Sequence, residues 1–199
     1  MFDKVVIVGV GLIGGSFALA LKNAGSAGHI VGMGRSREVM ARALELGLVD
    51  EVTESAQDAM RGADLVLIAA PVAQTGRILE SLLPWLEPQT VITDAGSTKS
   101  DVVAAARAVL GERIAQFVPG HPIAGRESNG PDAAIPNLYR GKKTVITALP
   151  ENPGALVERV ASAWRQCGAI IHRLTPEEHD KVFAAVSHLP HLLAYALVD

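Results

Sequence analysis

A glycine turn and a histidine are the residues of this sequence whose type and placing could do chemistry. Gly9-Val10-Gly11-Leu12-Ile13-Gly14 follows the apolar run Val5 to Val8 and precedes a helical pattern from Phe17 to Leu21. Strand, G-x-G-x-x-G and helix in that order suit the pyrophosphate of a dinucleotide. Gly9 allows the tight turn, Gly11 lets the backbone approach the phosphates, and Gly14 lets the helix lie close to the strand. The helix start at Leu12 and Ile13 adds N–H groups and a positive dipole end. With no ligand, the same residues would make an ordinary strand-to-helix turn. A nicotinamide needs a hydride partner, usually an alcohol carbon, and a base for the hydroxyl proton. His121, at the end of an apolar strand pattern and beside a long polar loop, is the best-placed base by position alone.

The residues after the second strand pattern, His29 to Met33, bear on the choice of cofactor. NAD-binding folds usually carry an acid there to hold the ribose 2′-hydroxyl. Here Gly34 stands about where the acid would be, followed by Arg35-Ser36-Arg37. Guanidinium groups bind a 2′-phosphate that a carboxylate would repel, so NADP is expected ahead of NAD. The competing reading is that Ser36 caps the next helix and the arginines are solvated.

The elements that must position these residues alternate between strand and helix. Strand patterns are expected at Val5–Val8, His29–Met33, Leu65–Ala70, Val91–Thr93, Phe117–Pro122, Thr144–Ala148 and around Ile170-Ile171, with helices between them. The expected fold is α/β: a doubly wound, mostly parallel Rossmann-type sheet, followed by the start of an α-helical domain. In such a sheet the strand ends form the ligand crevice, which brings Ala70 and Pro71 near the nicotinamide. Asp94 and Gly96, in the stretch Asp94-Ala95-Gly96-Ser97-Thr98-Lys99, hold a sugar or a carboxylate there or merely cap a helix. Asn152-Pro153 reads as a cap and first-turn proline, Thr175-Pro176-Glu177-Glu178 as a capping box, and Trp85 and Trp164 as packing residues. From Thr175 the pattern is helical and stops at Asp199 within an apolar stretch. The expected division is 1–174 for the dinucleotide domain and 175–199 for the start of a helical domain, as the N-terminal portion of a longer protein.

The bulk numbers exclude several classes. A chain of 199 residues with 49% hydrophobic and 20% charged residues is globular. A net charge of −3 argues against a nucleic-acid partner. The single cysteine, Cys167, excludes an intrachain disulfide and reads as a buried filler. No apolar run has membrane-spanning length and the N-terminus enters a strand directly, so no membrane and a cytoplasmic location are expected. His188 and His191 lie three apart on a helical pattern, but no cysteine or carboxylate pattern accompanies them, so no metal is expected. His29, His172 and His179 read as surface residues.

Five motifs now carry a resemblance. Gly9-x-Gly-Leu-Ile-Gly-Gly-Ser16, Asp94-x-Gly-Ser97-x-Lys99, Gly120-His-Pro-Ile-Ala-Gly125-x-Glu127, His179-Asp180 and Ser187-His-Leu-Pro-His191 occur in this order and spacing. Together they resemble the prephenate and arogenate dehydrogenase family of tyrosine biosynthesis, over essentially the whole chain. The first motif is shared with many dehydrogenases; the His-Pro-Ile-Ala-Gly and Ser-His-Leu-Pro-His motifs are specific in combination. The resemblance implies that His121 accepts the proton of the substrate's ring hydroxyl and that Ser97 aligns hydroxyl, histidine and nicotinamide. It implies that Glu127 gates the site and that His191 either touches the substrate or supports the residues that do, with His188 of the same motif also at the substrate site. It also implies a homodimer of the full-length protein, built through the helical domain. A substrate-holding arginine of the family falls on no position here. The Gly34–Arg37 stretch resembles NADP-preferring members, with NAD still possible. The alternatives are another β-hydroxyacid-type dehydrogenase, which more often presents a lysine as base, and a non-catalytic NADP-binding regulatory module.

Overall fold

The computed structural model describes residues 1–188, with side chains to Val186. Its centre is a five-stranded parallel sheet in the order β3-β2-β1-β4-β5, formed by β1 (Phe2–Val8), β2 (Ala27–Met33), β3 (Glu51–Thr53), β4 (Leu65–Ile68) and β5 (Val91–Asp94). Parallel strands need crossovers. These are α1 (Leu12–Asn23), α2 (Arg37–Glu45), α3 (Ala56–Met60) and α4 (Thr75–Leu82), with α5 (Ser100–Leu110) leading out of the sheet.

The apolar runs predict burial on both faces, and alternation sorts the side chains between them. Val5, Ile7, Leu65 and Leu67 pack in one core with Phe17 and Leu21 of α1. Val6, Val8, Val66 and Ile68 pack in the other with Leu79 of α4 and Val102 of α5. Trp164, on α6 (Gly154–Gln166), is fully buried and meets the rings of Phe17 and Tyr139 edge-on at 4.6 and 5.1 Å. Trp85, expected to pack, instead leaves 41% of its surface exposed.

The expected strand from Phe117 to Pro122 is split. Phe117 bridges Ile92 in parallel and the Val118 N–H donates to the Ile92 carbonyl. Pro119 then has no N–H to continue the ladder. The chain enters a second sheet of β6 (Gly120–Pro122), β7 (Lys143–Ile146) and β8 (Ile170–Arg173), with β6 antiparallel and β8 parallel to β7. The α/β class stands, with a parallel five-stranded sheet and this smaller mixed sheet beside it.

Two further expectations need correction. β3 was not anticipated, since Glu-Val-Thr carries no apolar run. Asn152 does not cap α6: its amide accepts from the Leu149 N–H and donates to the carbonyls of Ala115 and Phe117. The helix at the end, α7 (Pro176–Phe183), has the expected capping box, with Thr175 and Glu178 each bonding the other's backbone N–H. A π-helical turn, Ala184–His188, follows it. Among the described residues no helix is long and apolar enough to cross a membrane.

Candidate active site

At the carboxyl edge of the parallel sheet lies an open groove of about 830 Å³. Gly9 and Gly11 form its floor. Gly9 has φ +96°, and a Cβ there would lie 2.5 Å from the Ala69 carbonyl oxygen, so the turn requires glycine. A Cβ on Gly14 would lie 2.1 Å from the Gly9 carbonyl oxygen. A Cβ on Gly11 would meet nothing within 4 Å, although Gly11 lines the groove. α1 begins there with no side chain capping it. Bare N–H groups, a positive dipole end and a glycine facing open space fit the pyrophosphate of a dinucleotide. Leu12, Ile13 and Gly14 belong to the first turn of α1, behind the groove surface rather than on it.

The far end of the groove carries the residues after β2. Gly34, Arg35 and Ser36 line it. Ser36 also caps α2 by accepting the Val39 N–H. Arg37 turns to Glu54, its Nε donating to the carboxylate at 2.6 Å. Glu54 itself lines the groove, and Arg37 holds its carboxyl below the usual carboxylate range. Ala70 and Pro71 line the near wall, together with Arg77 of α4. Among the described residues Arg35 and Arg77 form no ion pair, unlike Arg37. Sequence reasoning passed over Arg77 and Glu54, since neither sits in a motif; only the folding of α4 and β3 around the strand ends brings them in.

Asp94 and Gly96 do not line this groove. Asp94 is buried at the end of β5, where its Oδ1 accepts from the Gly120 N–H at 3.0 Å and its Oδ2 from the Gly96 N–H at 2.8 Å. The fully buried Lys99 closes on the same Oδ2 and donates to the Gly120 carbonyl at 2.8 Å. Burial pulls the Lys99 pKa down and Asp94 opposes it. Both backbone groups of Gly120 are therefore held from below. This fixes His121, the next residue, at the end of β5, which neighbours β4, whose end lines the groove. Ser97 lies exposed in the turn between β5 and α5, and Glu127 lies exposed in the loop after β6.

His179 corrects the expectation of a surface residue: it is fully buried. Its Nε2 lies 2.8 Å from Nδ1 of His121, and its Nδ1 lies 2.8 Å from Oδ1 of Asp180. Asp180 also accepts the backbone N–H groups of Lys99 and Ser100, each at 2.7 Å. Burial works against the Asp180 carboxylate, yet the hydrogen bonds from Ser100, His179 and Lys99 carry its pKa far below the usual range. Burial lowers the His179 pKa, against the bond to Asp180. His191 and the side chain of His188 lie outside the described residues. Among the described residues no three histidines, cysteines or carboxylates are grouped to hold a metal ion.

A family profile described as prephenate dehydrogenase, nucleotide-binding domain, matches residues 17–173, and one described as prephenate dehydrogenase, dimerization domain, matches residues 175–199. The chain is 37% identical over 198 residues to a cyclohexadienyl dehydrogenase of Zymomonas mobilis, covering all of this chain and 67% of that protein. It is 39% identical to a prephenate dehydrogenase of Bacillus subtilis, covering all of this chain and 53% of that protein. The chain thus spans between about half and two thirds of these curated relatives. Among solved structures, the Aquifex aeolicus prephenate dehydrogenase in complex with hydroxyphenyl propionate and NAD+ superposes with a TM-score of 0.93 at 38% identity. That match covers all of this chain and 69% of the other.

Proposed function

Because the chain belongs to the prephenate dehydrogenase family, we propose that it serves the NAD(P)-dependent oxidative decarboxylation of prephenate, of arogenate, or of both, to 4-hydroxyphenylpyruvate or tyrosine. The observation that carries this reading is the placing of His121. It is fixed through Gly120 to Asp94 and Lys99 at the end of β5, the strand next to β4, whose own end lines a glycine-floored groove that fits a dinucleotide.

A bound nicotinamide supplies the hydride acceptor. His121 takes the proton of the ring hydroxyl as the carbinol hydrogen leaves with its electron pair. The ketone that forms is conjugated to the carbon bearing the carboxylate. It accepts the electrons of the bond that breaks, carbon dioxide departs and the ring becomes aromatic. That last step is strongly downhill, so the site has mainly to orient donor and acceptor and to present the base. Ser97 would align the hydroxyl, Glu127 would gate the pocket, and His188 and His191 would belong to the substrate site.

Cofactor preference, domain division and pairing of copies belong to the same proposal. Arg35, with Arg77 opposite, supports NADP ahead of NAD, although NAD+ is what the Aquifex relative holds. Residues 1–174 would form the dinucleotide domain and 175–199 would open a helical domain through which two full-length copies pair in the cytoplasm.

Initial rates on the full-length protein test the reading, with prephenate and arogenate each paired with NAD and NADP. One pairing is expected to turn over, and His121→Asn to cost about two to four decades of kcat while the cofactor still binds. Cofactor binding with no turnover in any pairing would replace the enzyme with a binding module.

A further inference from the structure

Among the described residues, the side chains behind His121 order their protons in one direction. An ionised carboxylate has no proton to give. Asp180, already taking two backbone N–H groups, must therefore accept from His179 as well, which puts the His179 proton on Nδ1. Burial favours the neutral form of the His179 ring, and in that form, with the proton on Nδ1, Nε2 carries a lone pair. The contact of 2.8 Å between that Nε2 and Nδ1 of His121 then needs its proton on His121.

We propose that His179 and Asp180 are positioning residues that hold His121 in the Nδ1–H tautomer, so that its Nε2 is the atom that takes the substrate's hydroxyl proton. This rests on the reading of His121 as proton acceptor. In the step, the substrate O–H bond breaks and an N–H bond forms at Nε2. The carbinol hydrogen leaves with its electron pair for the nicotinamide, which is reduced as the substrate is oxidised. The imidazolium so formed keeps its Nδ1–H on His179, whose own Nδ1–H rests on the Asp180 carboxylate. A base backed by a second group that sets its tautomer is how serine-type triads prepare their histidine.

The surroundings of His179 agree with this role. Lys99 and Asp94 face it from the β5–α5 side, Asp180 and Phe183 from its own helix, and His121 from β6. The Phe183 ring lies 4.5 Å from the His179 ring and 5.2 Å from the His121 ring, which limits how either imidazole can turn. The device is assembled from two parts of the chain. β6 brings the base, whereas α7, anchored by its capping box and by Asp180 on the start of α5, brings the residue that orients it.

The test is nuclear magnetic resonance of ring-15N-labelled histidine in the full-length protein with bound cofactor, with the His121 signals identified by their loss in His121→Asn. Above the titration range of the ring, His121 is expected to carry its proton on Nδ1 and none on Nε2. His179→Phe keeps an aromatic ring against Phe183 but removes the acceptor. It should let His121 mix tautomers and lower kcat by about 10²-fold, with the KM for cofactor within about twofold of wild type. His179→Gln, whose amide oxygen can take the Nδ1–H, should recover about tenfold of that loss. An active wild type with the proton on Nε2 overturns this inference alone, and so does His179→Phe with kcat within about threefold of wild type. The wild-type tautomer is read without any variant, so a variant that fails to fold leaves that measurement decisive. Absence of turnover with either substrate and either cofactor overturns the functional reading, and the positioning role with it.

Discussion

Lys99 Nζ donates to the carbonyl oxygen of Gly120 at 2.8 Å while closing on the Asp94 carboxylate. Its side chain is fully buried and that of Asp94 almost so. A buried pair is costly to assemble, and removing one partner leaves the other as an uncompensated charge. Lys99→Met should therefore cost about 3–5 kcal/mol of stability, read from urea unfolding of the full-length protein. It should also lower kcat, because Gly120 loses a tie and His121 is the next residue. A Lys99→Met protein of wild-type stability would mean that Asp94 is satisfied without the ammonium.

The two later glycines of the turn should separate folding from binding. A Cβ on Gly14 would collide with backbone, 2.1 Å from the Gly9 carbonyl oxygen, and backbone cannot give way cheaply. Gly14→Ala is expected to lose at least about 1–3 kcal/mol and to lose cofactor binding with it. Gly11 has extended backbone angles that alanine adopts readily and nothing within 4 Å of a Cβ. Gly11→Ala should keep its stability within about 0.5 kcal/mol, while the methyl group stands where the phosphates must approach. Thermal unfolding and fluorescence titration with NADP, side by side, check this. Equal cofactor affinity in Gly11→Ala and wild type would move the pyrophosphate away from α1.

Much of this was legible in the sequence because it is local. The fingerprint, the alternation in Val5–Val8 and Leu65–Ile68, and the Thr175–Glu178 box are set by neighbours a few residues apart. β3 was missed because Glu51 is exposed and Val52 and Thr53 are only partly buried, and the three gain their strand from pairing with β2. The break at Pro119 is readable only once Phe117 is known to lean on Ile92. Asn152 has the type and position of a cap, yet the nearby carbonyls of Ala115 and Phe117 take its amide. His179 sits among charged residues and reads as exposed; its burial depends on His121, 58 residues earlier. Long-range pairing of this kind leaves no periodic trace.

Cofactor choice should turn on Arg35 and Glu54. Arg35 lines the groove where a 2′-phosphate would lie, and Glu54 lines it too, with Arg37 on its carboxylate. The Arg37–Glu54 pair is exposed on both sides, so it holds Arg37 weakly. Arg35→Ala should raise the KM for NADP about tenfold or more, the worth of a charge-assisted bond, and leave that for NAD nearly unchanged. Glu54→Gln removes a like charge from the phosphate's approach and releases Arg37, so it should shift the kcat/KM ratio toward NADP. Steady-state kinetics with both cofactors read both effects. A fall in NADP preference on Glu54→Gln would place the 2′ position elsewhere.

Acid should loosen α7 before it unfolds the sheet. The His179 pKa is lowered, chiefly by burial, so the folded state resists a proton that the unfolded chain takes up below about pH 6.5. The unfolded state then binds more protons, and stability falls as pH drops from about 6.5 toward the folded pKa of His179. Asp180 has the same sign for a different reason: its carboxylate is held by Ser100, His179 and Lys99 against the cost of burial. Its contribution is complete above the unfolded value of about 3.9 and is lost as pH falls below it. The urea midpoint of the wild type should therefore drop on acidification from about pH 7.5 to about 5.5. Phenylalanine does not titrate, so His179→Phe should drop less over the same interval. Hydrogen exchange should show the amides of α7 losing protection first, because the ring that anchors them has become charged where it is buried from water. Equal pH slopes for wild type and variant would mean that His179 is solvated in solution and that Asp180 alone holds α7 to the start of α5.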